Sequence, residues 1–245
     1  MKKTIIKIFS LLTISLSTLG SGNVCEAFEW KSLLVISDKV QNTSINDTVL
    51  ASGLRETLRV GIDSTITQLS REDGFFSDEK IKITLPGWMQ KTESILRKVG
   101  LGDSLDSLIL KMNRSAEAAT PHARDIFIDA IMDLSIADAR SIYGGGETGV
   151  TDYFEKKTRD ELKEKFMPVI GDSMRSYKVY ETYSSILERA KKMPFLNKLN
   201  PPTIESFVSD KTLDGIYYTL GREEAAIRTN PERRVTQLLQ QTFAN

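Results

Sequence analysis

The sequence predicts an all-α fold, and three observations carry that prediction. Apolar residues recur at three- and four-residue intervals through almost every segment, the spacing that stacks them on one helix face. No strand pattern alternates with these runs, which argues against a parallel-sheet α/β architecture. Glycines and prolines fall between the periodic runs as punctuation. The expectation is one domain of roughly eight to ten helices, with a possible sub-boundary at the proline-rich stretch 193–202.

Taken in order, 28–41 reads as a short amphipathic helix. The next, 46–70, carries Leu54, Leu58, Ile62, Ile66 and Leu69 on one face and stops at Asp73-Gly74. The stretch 75–86 alternates Ile81, Ile83 and Leu85 and predicts extended chain, at most one short strand. A helix over 88–99 closes at Gly100-Leu101-Gly102. Asp103 is a good N-cap for the next, which has a stripe of Leu105, Leu108, Met112, Ala116 and Ala119. Pro121 suits the first turn of a further helix bearing Ala123, Ile126, Phe127, Ala130, Ile131 and Leu134. Gly144-Gly145-Gly146 is the clearest break. Helix is expected over 150–192, kinked or interrupted near Pro168 and Gly171. Thr203 caps a helix reaching about Arg228, and Asn230-Pro231 caps a last one containing Leu238, Leu239 and Phe243.

The chain has 245 residues, 40% hydrophobic and 27% charged, which marks a globular protein large enough for a real core. Its start predicts export. Met1-Lys2-Lys3 is a basic n-region, an apolar run follows from Ile5 to Leu19, and Cys25-Glu26-Ala27 offers a small-x-small cleavage pattern. The signal peptide is thus 1–27, with cleavage after Gly22 as the alternative, and the helical domain is 28–245. The apolar run is shorter than the roughly 20 residues a membrane span needs. Val24 precedes Cys25, with Ser21-Gly22-Asn23 before it, so lipoprotein anchoring is not expected. The protein should be periplasmic or secreted. The leader holds Lys2, Lys3, Lys7 and Glu26, so the remainder carries a net charge near −2. No global field draws it to nucleic acid.

The inventory excludes much chemistry. There is one histidine, His122, and one cysteine, Cys25, so Cys/His zinc sites and Glu-x-x-His di-iron sites are out; no metal or cofactor is expected. His122 reads as a surface residue. The run Gly144 to Thr151 imitates a phosphate loop by glycine spacing only. Val150 stands where the lysine belongs, and a helix precedes it.

Polar residues on or beside apolar stripes are the candidates for a ligand site. Arg55 and Arg59 flank the Leu54–Leu58–Ile62 stripe, Asn113 and Glu117 edge the Leu108–Met112–Ala116 stripe, and Lys211 and Asp214 share a face with Phe207 and Tyr218. Interhelical salt bridging is the alternative use of all six.

At this level the chain resembles an exported bacterial family, domain of unknown function 4197, over nearly all of its mature length. The matching stretches include Gly53 to Gly61, Asp73-Gly74-Phe75, Ile81 to Pro86, Met112 to Ala119 and Asp138-Ala139-Arg140. Thr151 to Phe154, Lys157-Thr158, Lys211 to Gly215, Ile227 to Pro231, Arg234 and Leu238-Leu239 continue it. Ser115 departs mildly, where alanine is expected. The resemblance implies export and a helical fold, but no activity. It includes Arg55, Asn113, Glu117, Lys211 and Asp214.

The functional expectation is a periplasmic protein that binds an unknown ligand or protein partner, or is structural. Its cleft would be helix-lined and use Arg55, Arg59, Lys211 and the tyrosine row Tyr177, Tyr180 and Tyr183. The alternative is an enzyme using Glu117, Asp214 or Lys211 in general acid–base chemistry. Membrane-surface contact through Phe28, Trp30, Leu33 and Leu34 is a third reading.

Overall fold

The computed structural model describes residues 47–135, 139–193 and 203–244. The predicted signal peptide, the predicted 28–41 helix, and all but Met193 of the 193–202 stretch lie outside the described residues. Residues 45–245 form one compact unit. Its helices are α1 (Asp47–Leu69), α2 (Gly87–Leu96), α3 (Gly102–Asp133), the single turn α4 (Ala139–Tyr143), α5 (Gly149–Ser176), α6 (Val179–Lys191), α7 (Ile204–Thr229) and α8 (Gln237–Thr242). Leaving the α4 turn aside, these are seven helices, slightly fewer than expected, and no strand occurs among the described residues. The fold is all-α.

The four long helices pack in a ring, α1 on α3, α3 on α5, α5 on α7, and α7 back on α1. Each neighbouring pair is antiparallel. Arg55 meets Leu134 and Asp63 meets Arg124, which fixes α1 against α3. Tyr153 meets Ser135 while Lys165 lies near Asp129, which fixes α5 against α3. Thr151 meets Glu224 and Lys163 meets Asp210, which fixes α7 against α5. Gly61 packs on Leu220, while Phe75, just beyond α1, packs on Gly215. This is an up-and-down bundle, in which the connections 70–101 and 177–203 carry α2 and α6.

The predicted stripes form its core. Leu54, Leu58, Ile62, Leu105, Leu108 and Met112 are fully buried, as are Phe154, Leu162, Phe166, Leu213, Ile216 and Leu220 from the other two helices. Phe127, Phe154 and Tyr217 bring three helices together, with ring centroids 5.5 to 6.1 Å apart. Such aromatic groups dominate core energetics through the area they remove from water. A satellite cluster, Ile227, Leu239 and Phe243 with Val60 and Tyr143 beside it, lies apart from this core at the α8 end.

Three local expectations are corrected. Pro121 does not open a helix; it lies within the continuous 32-residue α3. Pro168 and Gly171 likewise lie inside α5, which runs unbroken to Ser176. Both prolines occupy exposed positions of their helices. The actual break is at Lys178, in the left-handed region with φ of 57°. Lastly, the Asn230 side chain accepts from Glu232 N and opens a 3₁₀ turn; Thr236 caps the final helix by accepting from Leu239 N. The 75–86 stretch has no regular strand partner; a side chain on α3 takes that role, as described next.

Candidate functional site

The six residues singled out on the sequence do not converge. Arg55 donates from Nε and Nη2 to the Leu134 carbonyl, at 3.0 and 2.8 Å, and so caps the C-terminal end of α3. Arg59 makes a forked pair with Glu56 on its own helix, at 2.7 and 2.9 Å. That pair holds the Glu56 carboxyl below its usual value, the Arg59 hydrogen bond outweighing burial. Asn113, fully buried, accepts from Ile83 N at 2.9 Å and donates to Ile83 O at 2.8 Å. It satisfies the extended chain as a neighbouring strand would. Glu117 accepts from the Phe75 and Phe76 amides and from Arg114 at 2.6 Å. Arg114 also reaches Asp73 at 2.7 Å. These residues fasten the 70–86 segment to α3. Of the tyrosine row, Tyr180 and Tyr183 sit on α6, where Tyr183 meets Trp88 edge-on, and Tyr177 caps the C-terminal end of α5. His122 is exposed, as expected.

Sequence reasoning missed a seventh group. Glu224 is buried to within 1% of its surface. It accepts from the Val150 and Thr151 amides at 3.0 and 2.7 Å, from the Thr151 hydroxyl at 2.7 Å and from Arg228 Nε at 2.8 Å. It is thus a capping carboxylate for the first turn of α5, supplied by α7. The signal was available: Leu213, Ile216, Leu220 and Ile227 make the buried stripe of α7, and Glu224 stands on it.

Asp214, by contrast, does open onto a cleft. Between α5 and α7 lies a groove of about 510 Å³, lined by Glu147, Thr148, Thr151, Asp152 and Glu155 on one side. Asp214, Tyr217, Tyr218, Gly221 and Arg222 line the other. The glycine turn positions the first wall: Gly146 adopts a φ of 96°, and α5 starts immediately after. Gly221 allows the close approach of the second, since a Cβ there would sit 3.2 Å from Thr148 Cγ2. Arg159 lies between Glu155 and Asp214 and pairs with both, while Lys211 Nζ bonds Asp214 at 2.8 Å. Burial raises the Asp214 carboxyl, but the Lys211 and Arg159 hydrogen bonds overcome it and hold it below 3.8. Burial pushes the Tyr217 hydroxyl well up, against a hydrogen bond with Thr158, so it stays protonated at neutral pH. Tyr218 is exposed, with the Arg222 guanidinium 6.0 Å from its ring centre.

The Asp214 shift has a consequence. Its folded-state pKa is depressed, so its pairing stabilises the fold above pH 3.8 and is lost as pH falls through the lower folded value. Urea titrations at about pH 4 and about pH 2 should show wild type losing more stability than Asp214→Asn over that interval. Equal losses in the two proteins would mean that the pair contributes nothing.

Fold and site together define an up-and-down helical bundle with one side groove that mixes carboxylates, tyrosines and an arginine. The chain belongs to the family described as protein of unknown function (DUF4197), whose pattern matches residues 44–244. No curated protein and no solved structure matches it. The stretches Thr151 to Phe154 and Lys211 to Gly215, which carry part of the family resemblance, supply residues to the two walls of the groove.

Proposed function

We propose that this protein is an exported binding protein of the cell envelope, and that the α5–α7 groove receives its ligand or a polar segment of its partner. The observation that carries this reading is the groove itself. Among the described residues Asp214, selected on the sequence, lines this groove, whereas Arg55, Asn113 and Glu117 are engaged in holding the chain together. The groove offers an exposed aromatic face, hydroxyls that donate or accept, and charges of both signs, which suits recognition by a few convergent polar contacts. Export is supported by the n-region, the apolar run and the cleavage pattern within 1–27.

The acid–base reading draws less support. Glu117 is bound by Phe75, Phe76 and Arg114, whereas Lys211 and Asp214 pair with each other and with Arg159. The two sets have separate partners, so Glu117 is not joined to the Lys211–Asp214 pair as acid to base.

The test is native mass spectrometry on the mature protein isolated from its own periplasm. An added stoichiometric mass is expected on wild type. Tyr218→Ala should weaken that species by about tenfold, the equivalent of ~1.4 kcal/mol for one lost aromatic contact. Retention of the mass at full occupancy in the variant would remove the groove from consideration. N-terminal sequencing of the same sample reads export directly: a start at Phe28 or Asn23 supports it, and a start at Met1 overturns it.

A further inference from the structure

The α8 end of the bundle holds an arrangement that neither the fold nor the groove requires. Phe243 stacks on Tyr143, with centroids 5.7 Å apart and planes at 21°. The Arg228 guanidinium lies 5.3 Å from the Phe243 ring centre and 5.6 Å from that of Tyr143. Arg228 Nη1 donates to the Tyr143 carbonyl at 2.9 Å and Nε to Glu224, while Nη2 is buried with no hydrogen-bond partner among the described residues. Glu224 in turn holds the Val150 and Thr151 amides. A continuous set of contacts therefore runs from the C-terminal Phe243, through Arg228 and Glu224, to the first turn of α5.

We propose that the segment 230–243 is a latch: its seating on Arg228 keeps Glu224 under the start of α5 and so sets the wall of the groove that Thr148, Thr151 and Asp152 form. Three features suit it to release. Its apolar anchor is the small satellite cluster rather than the main core, and segments with few buried contacts open first. The glycine turn on the other side of Val150 gives the α5 start freedom to move. The unsatisfied Arg228 Nη2 gives the closed state a polar group that opening would hydrate. The latch rests on the groove reading only for its effect on binding; the contacts stand without any ligand.

The Val150 and Thr151 amides report on it. In the first turn of a helix such amides have no intrahelical acceptor, and here they depend on Glu224 for protection. Hydrogen exchange of the ligand-free full chain is therefore the experiment, with Phe243→Ala compared to wild type. Exchange at Val150 and Thr151 should accelerate by about tenfold, with the core amides of α3 unchanged. Gly53→Ala should do the same from the opposite side, because its new Cβ falls on the Thr242 side chain and displaces α8. Acceleration confined to 230–243 in both variants would overturn the proposal. So would equal acceleration in every segment, which would make Phe243 a general stabiliser. Both readouts are made without ligand, so failure of the latch and failure of the groove reading remain distinguishable.

Discussion

Replacing Glu224 by alanine is expected to destabilise the protein by about 3–5 kcal/mol, the range for breaking a buried ion pair on one side only. Three penalties act together. The Arg228 guanidinium, packed against two stacked rings, loses its carboxylate and stays mostly buried with its charge. The Val150 and Thr151 amides lose their acceptor at a helix end that has no side-chain cap of its own. The Thr151 hydroxyl, also buried, loses its acceptor too. Urea unfolding reads the effect. Glu224→Gln keeps one acceptor oxygen and should fall between alanine and wild type. Adding Arg228→Met to Glu224→Ala should recover part of the loss, because it removes the orphaned charge rather than the pair alone. A single-variant effect below about 1 kcal/mol would place Glu224 among exposed ion pairs and contradict its burial.

The same reasoning explains what the sequence could and could not disclose. Helix periodicity located the buried faces of α1 and α3, because burial in a bundle depends on face, and face is a property of spacing. The prolines misled because their tolerance depends on which face they occupy. Pro121 and Pro168 both occupy exposed positions of long helices whose other faces are packed in the core. The rule that a polar group on an apolar stripe marks a special position was correct for Asn113 and Glu117, and would have found Glu224 had it been applied to α7. It did not disclose what those groups bind. Their partners are backbone groups of a segment 30 to 42 positions away for α3 and 73 or 74 away for Glu224. A backbone amide carries no side-chain signature in a sequence, so a residue spent on one reads the same as a residue free to hold a ligand. Asp214 was legible for the opposite reason: its partners Lys211 and Arg159 are side chains, and its face carries Tyr218 one turn on.

Asn113 supplies the second large expected effect. The segment around Ile83 is extended, buried and without a strand beside it, so its N–H and C=O rely on one carboxamide. Asn113→Ala leaves both groups unsatisfied in the interior, and each such orphan costs about 1–3 kcal/mol, so about 2–6 kcal/mol is expected in total. Asn113→Asp discriminates the cause. A carboxylate can still accept from Ile83 N, but it cannot donate to Ile83 O or to Ile109 O, and it brings negative charge against both carbonyls. It should therefore be at least as damaging as alanine at neutral pH, and part of the loss should return as acid protonates the new carboxyl, until other carboxylates of the protein titrate. Loss of this clamp should free the chain locally before it unfolds the bundle, since the ring of long helices does not pass through Ile83. Hydrogen exchange at the Ile83 amide should rise in Asn113→Ala well before exchange in α5 and α7. If that amide stays as protected as in wild type, the side-chain clamp is not what holds 75–86 to α3, and apolar burial of Ile81, Ile83 and Leu85 is sufficient by itself.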